Sequence, residues 1–185
     1  MRWKLKPETN PQITLKLAQE LGVDNTLAKL LVNRGIETYE EAESFFRPSL
    51  TNLHNPYLMK DMELAVERIE KAILKGENIL VYGDYDVDGT TSVSLVSSYL
   101  KTIYSNIATY IPDRYAEGYG ISFQGIDYAE DNGITLIIAL DCGIKAIDKV
   151  AYAKEKAIDF IICDHHRPGD EIPDAVAVLD PKRAD

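Results

Sequence analysis

The spacing of apolar positions changes once along the chain, near residue 77, from a helical period to short unbroken runs. Asn10 and Pro11 read as N-cap and first residue of a helix carrying Leu15, Leu17, Ala18 and Leu21, with Gly22 just past its end. A second helix is predicted from near Asn25 to Arg34, with Leu27, Leu30 and Leu31 on one face and Gly35 as its stop. Thr38 and Glu41 form a capping box that opens a short helix with Phe45 and Phe46. After a connector from Pro48 to Pro56, Asp61 is expected to cap a longer helix. There Met62, Ala65, Val66, Ile69, Ala72 and Ile73 recur at helical spacing up to Gly76.

Beyond that point come the runs Ile79-Leu80-Val81-Tyr82, Leu136-Ile137-Ile138-Ala139-Leu140 and Phe160-Ile161-Ile162-Cys163. Ile107 to Ile111 and Ala175 to Leu179 are weaker versions. Continuous runs, in place of alternation, mark strands buried on both faces. Helical stretches fall between them, at about 90–104, 122–131 and 144–156. Alternating strands and helices predict an α/β fold: a Rossmann-like parallel sheet flanked by helices, over 77–185, preceded by a small helical region over 1–76.

At 185 residues and 45% hydrophobic content, the chain can build a substantial core. No apolar run approaches the ~18 residues that cross a bilayer. Met1-Arg2-Trp3-Lys4-Leu5-Lys6 is basic but lacks the apolar stretch of a secretion signal, so a cytoplasmic location is expected. Cys142 and Cys163 border apolar runs and read as buried thiols. The net charge of −10 opposes a nucleic-acid groove as the whole function, because phosphate contacts need Lys and Arg. Carboxylates that hold divalent cations weaken that argument.

Acid follows each strong strand. The first ends in Gly83-Asp84-Tyr85-Asp86-Val87-Asp88-Gly89, the second in Asp141-Cys142-Gly143, the third in Asp164-His165-His166. Ligands of open α/β sheets bind outside the carboxyl ends of the strands, so these clusters converge on one site. Carboxylates left together repel one another. Divalent cations relieve this, and oxygen ligands with imidazoles suit Mg²⁺ or, better, Mn²⁺. Asp84-x-Asp-x-Asp-Gly also opens a calcium loop, but such a loop needs Glu at its twelfth position, which here is Leu95. Asp86-Val87-Asp88-Gly89-Thr90 also matches the nucleophile motif of haloacid-dehalogenase-type phosphatases, with Asp86 as nucleophile and Asp88 as general acid. That alternative stays open, although it gives the paired histidines no task.

Residues 83–92, Asp141-Cys142-Gly143 and Asp164-His165-His166 together resemble the first three motifs of DHH-family phosphoesterases. Arg34-Gly35-Ile36 with Pro48, Pro112-Asp113-Arg114 with Gly118-Tyr119-Gly120, and Asp180-Pro181-Lys182-Arg183 make the likeness one to RecJ-type single-stranded-DNA exonucleases. Smaller DHH enzymes carry a histidine where this chain has Tyr82; RecJ-type members replace it with the first aspartate, here Asp84. The resemblance implies two Mn²⁺ or Mg²⁺ ions bridged by Asp141, one held also by Asp84 and Asp86, the other by Asp88 and His165. It places His166 beside the scissile phosphate, with Asp164 as its catalytic companion. Arg114, Gly118 and Tyr119 become substrate-binding candidates, Arg114 as a phosphate clamp and Tyr119, like Tyr115, as a base-stacking ring.

The implied activity is a metal-dependent 5′→3′ exonuclease on single-stranded DNA, serving repair and recombination. DHH relatives also cut short RNA, cyclic dinucleotides or pyrophosphate, and some RecJ relatives act as non-catalytic scaffolds. The family's fourth metal motif and its C-terminal substrate-binding region have no counterpart in these residues. The chain is therefore expected to be an N-terminal part, truncated at its C-terminus and weak or inactive alone, with single-stranded DNA bound mainly through the missing region.

Overall fold

The computed structural model describes residue 4 and residues 6–185. Met1, Arg2, Trp3 and Leu5, read above as a basic start without a secretion signal, lie outside the described residues. The chain forms two compact units, residues 1–55 and 56–185.

In the first unit, α1 (Pro11–Leu21) is capped by the Asn10 side chain, which accepts from the Gln12 N–H at 3.0 Å, and ends at Gly22 in the left-handed region. α2 (Asn25–Val32) is capped by Asp24, and α3 (Tyr39–Phe46) opens on the expected Thr38–Glu41 capping box. Leu17, Ala18, Ala28, Leu31, Val32, Ile36 and Ala42 form the core of this unit.

The second unit is a five-stranded, all-parallel sheet in the order β2-β1-β3-β4-β5. Its strands are β1 (Asn78–Gly83), β2 (Ile107–Tyr110), β3 (Ile134–Leu140), β4 (Asp159–Cys163) and β5 (Ala177–Leu179). Side chains alternate across each strand, and both faces are apolar. Ile79, Val81, Leu136, Ile138 and Ile161 pack under α4 (Met62–Lys75) and α5 (Val87–Ile103). Leu80, Tyr82, Ile137, Phe160 and Ile162 pack under α6 (Phe123–Asp131) and α7 (Ile147–Glu155). This is why the strands read as unbroken apolar runs.

Two expectations change. The units divide at 55/56, and α4, grouped above with the helical region, packs on the sheet through Ala65 and Ala72. Asp61 precedes α4 but provides no cap: its φ is 65° and its carboxylate instead accepts from the Val178 N–H at 3.2 Å and Arg183 Nη1 at 2.6 Å. No helix among the described residues is long and apolar enough to cross a membrane.

Candidate metal centre

The strand order reverses between β1 and β3: from β1 the chain goes outward to β2, then returns to place β3 on β1's other side. Such a switch point leaves a crevice at the carboxyl ends of the two strands, because the loops after them turn opposite ways. The acidic motifs lie there.

Asp84 follows β1 and is fully buried. Its Oδ1 accepts from the Tyr85 N–H at 2.6 Å and its Oδ2 from the Gly120 N–H at 3.1 Å. Burial, above all, and the charge of Asp86 raise its pKa against those two hydrogen bonds. Asp86 caps α5, accepting from the Gly89 N–H at 2.9 Å, and this bond leads in holding its carboxyl low. Gly89 is obligatory: a Cβ there would stand 2.4 Å from the Asp84 carbonyl oxygen. Asp88 lies exposed in the first turn of α5, near enough for its charge to act on Asp141.

Asp141 follows β3 with φ at 60°, an uncommon conformation for a residue with a side chain. Its N–H donates to the Cys163 carbonyl at 2.8 Å. Its carboxylate Oδ1 lies 2.9 Å from His165 Nε2. Burial first, then the charge of Asp86, raises its pKa, against the pull of both histidines. One ligand atom each from Asp141, His165 and His166 lies within 4.8 Å of the others. Asp164 is the buried hub of the third motif. It accepts from the backbone N–H groups of Ile144 at 2.9 Å, His165 at 2.7 Å and His166 at 3.0 Å. Its Oδ1 also sits 2.7 Å from His166 Nδ1, which is the leading reason the His166 pKa is raised. With a side chain only 1% exposed, Asp164 reaches the site through His166, which it orients.

The substrate-side candidates divide. The Tyr119 hydroxyl donates to Asp86 Oδ2 at 3.1 Å, and its ring meets Tyr85 edge-on at 5.5 Å. Burial and Asp86 raise its pKa. This tyrosine, read from the sequence as a stacking ring, thus steadies a carboxylate of the centre. Gly118 and Gly120 flank it with φ at 87° and 82°, so the loop turns where only glycine is at ease. Arg114 lies 5.4 Å over the Tyr85 ring, with no hydrogen-bond or ion-pair partner among the described residues, and Tyr115 is almost fully exposed. Tyr82, in the place of the smaller enzymes' histidine, is buried; its hydroxyl donates to the Gly120 carbonyl at 3.0 Å.

The donor set suits a divalent cation. Asp84, Asp86, Asp88 and Asp141 follow β1 and β3 at the carboxyl edge, and among the described residues no Lys or Arg pairs with any of them, while only Asp141, His165 and His166 bring ligand atoms within 4.8 Å of one another. Each oxygen already hydrogen-bonded keeps a lone pair free. The two thiols have different exposures: Cys142 is buried and Cys163 half-buried, and both are free.

The chain belongs to the DHH family, whose N-terminal domain matches residues 78–185. It is 39% identical over 183 residues to the single-stranded-DNA-specific exonuclease RecJ of Bacillus subtilis (strain 168), covering 99% of this chain and 23% of that protein. Against RecJ of Escherichia coli (strain K12) it is 35% identical over 161 residues, or 86% of this chain and 27% of that protein. A crystal structure of exonuclease RecJ bound to manganese is similar with a TM-score of 0.63 and 29% identity, over 68% of this chain and 32% of that one. RecJ from Thermus thermophilus, in complex with Mn²⁺, shares the fold with a TM-score of 0.68 and 23% identity, over 95% of this chain and 24% of that one. The chain thus spans about a quarter of the length of these curated relatives.

Proposed function

We propose that this chain carries the metal-binding half of an exonuclease that removes nucleotides from single-stranded DNA, from the 5′ end, in DNA repair and recombination. The observation that carries the reading is that Asp141, His165 and His166 bring ligand atoms within 4.8 Å of one another, at the sheet edge where Asp84, Asp86 and Asp88 follow β1. The relatives named as single-stranded-DNA-specific exonucleases supply the substrate class.

In this reading Asp84, Asp86 and Asp141 would hold one cation, and Asp88, His165 and Asp141 a second. The chemistry that Mn²⁺ or Mg²⁺ would supply there is charge stabilisation at the phosphoryl oxygens and activation of water near neutral pH. The protein's own part is orientation. Asp164 fixes the His166 ring and favours its protonated form, so that His166 donates a hydrogen bond to the scissile phosphate or a proton to the leaving oxygen. Tyr119 and Gly120 hold Asp86 and Asp84 before any cation arrives. Arg114, in no ion pair among the described residues, would clamp a neighbouring phosphate. The dehalogenase-type alternative loses ground here, because the histidines have ligand atoms within 4.8 Å of one from Asp141 and the family match covers all three motifs.

The test is a nuclease assay with Mn²⁺ on labelled single-stranded, duplex and 5′- or 3′-blocked DNA, using the chain and a version extended to the relatives' length. The extended protein should cut single strands from the 5′ end, and the chain alone little. Preference for pyrophosphate or short RNA would refute the substrate; equal activity of the two would refute the assignment of substrate binding to the remaining length.

A further inference from the structure

The cations of the sheet unit are unevenly placed for a chain with a net charge of −10. Most of those that pair with acids do so on helix surfaces or at the sheet's amino edge. Several near the metal centre are in no ion pair among the described residues: Arg114, Lys145, Arg167 and Lys182. We propose that Lys145 and Lys182 are phosphate contacts for a single-stranded polynucleotide that crosses the carboxyl edge of the sheet, on the side of the centre opposite Arg114. The proposal rests on the exonuclease reading and adds a path for the strand.

Lys145 lies in the turn between β3 and α7. It lines a cavity of about 330 Å³ shared with Asp141, Asp164, His166, Tyr119 and Ile144. Its neighbour Lys149 is held by Asp148 at 2.8 Å and lies 5.0 Å over the Phe123 ring, whereas the Lys145 ammonium has no partner among the described residues. Lys182 follows β5. The Asp164 N–H donates to the Leu179 carbonyl at 2.9 Å, which sets the 180–183 turn beside the histidine pair. Buried Asp180 fixes that turn by accepting the Lys182 N–H at 2.7 Å. Arg183 is engaged by Asp61, Asp185 and the Val178 carbonyl, so Lys182 is the cation of the turn left free.

In the order β2-β1-β3-β4-β5, Arg114 follows the first strand, the aspartates follow the next two, Lys145 shares β3 and Lys182 follows the last. With strands ~4.8 Å apart, β2 and β5 ends are about 19 Å apart. Stacked nucleotides repeat every ~3.4 Å along one strand, so several phosphates fit between the flanking cations, with the aspartates and their cations in the middle. Lys71 and Lys75, in no ion pair among the described residues, lie toward the C-terminal end of α4, which leads into the start of β1 at the opposite edge. They are the internal control.

The experiment is fluorescence anisotropy of a phosphorothioate oligothymidylate, which resists hydrolysis, with Mn²⁺ at about 50 to 200 mM salt, on the chain and on its extended version. Each phosphate contact in a single strand contributes about 0.7 to the slope of log K against log salt. Lys145→Gln with Lys182→Gln should flatten the slope by about 1.4, and Lys71→Gln with Lys75→Gln should leave it unchanged. Equal flattening by both pairs, or none by the first, overturns the proposal, as does a lack of binding by either version at the lowest salt. An unchanged slope in a protein that still cuts single strands sinks the lysine assignment alone. A lysine-dependent slope in a protein that cuts none sinks the exonuclease reading and leaves the phosphate contacts standing.

Discussion

The two edges of the sheet treat their carboxylates in opposite ways. At the amino edge, Arg68 of α4 donates to Asp159 at 2.7 Å and to Glu77 at 2.7 Å, and Thr135 adds a 2.7 Å bond to Glu77. One guanidinium thus ties α4 to residues at the starts of β1, β3 and β4. At the carboxyl edge, four aspartates gather with no Lys or Arg paired to them among the described residues, and burial raises the pKa of Asp84 and Asp141. At the first edge both carboxylates have a cation in contact; the second is left with negative charge that no Lys or Arg meets among the described residues. Stability and function are therefore separated along the strands, and substitutions should separate in the same way.

The largest effect is expected from Arg68→Met. It leaves Glu77 and Asp159 facing each other without a cation, at a site where the arginine is nearly buried. Breaking such a pair costs about 3 kcal/mol, read as a lower urea midpoint, and Mn²⁺ affinity should not change. A variant of unchanged stability would show that the amino edge is not the anchor described. At the other edge, Tyr119→Phe keeps the ring and removes the bond to Asp86. Partners that orient metal ligands are worth roughly 10- to 100-fold in metal affinity, so calorimetry should show Mn²⁺ binding weakened by that factor with the melting temperature held. If single-strand affinity falls and Mn²⁺ binding does not, the ring acts by stacking after all.

A smaller contrast sharpens the same point. Asp141→Asn relieves repulsion with Asp86 and should stabilise the metal-free chain by about 1 kcal/mol, whereas Glu77→Gln should destabilise it by a similar amount. The same sign for both would dissolve the distinction between the edges. Acid should act on the amino edge too. Burial opposes ionisation of Glu77, but the bonds from Thr135 and Arg68 outweigh it and hold its pKa below the usual value. Its contribution is then complete above the unfolded pKa of about 4.3 and is lost as pH falls through the lower folded value. Urea midpoints between about pH 6 and pH 3 should fall less steeply in Glu77→Gln than in the parent.

Much of this was legible in the residues. Unbroken apolar runs mark β1, β3 and β4 because both sheet faces are covered, and acids directly after those runs must stand at one edge of a parallel sheet. Strand order was not legible, since adjacent and distant pairings bury the same side chains; the switch point between β1 and β3 emerges only from the register. Asp61 has the residue type and place of a helix cap, but Arg183, 122 positions later, offers its carboxylate a charged partner. Tyr119 was picked out for its ring, while its hydroxyl makes the contact that matters here. No sequence pattern singles out Arg68 or Lys145, because what Arg68 binds lies across the fold and Lys145 has no motif around it.

The central claim is that the carboxyl edge binds divalent cations through Asp141. Titration of the metal-free chain with Mn²⁺ in a calorimeter tests it directly, with Asp141→Asn beside the parent and Asp159→Asn as the amino-edge control. The account predicts saturable heat in the parent and in Asp159→Asn, and its near-complete loss in Asp141→Asn. Saturable binding that survives in Asp141→Asn, or none in the parent, would contradict it.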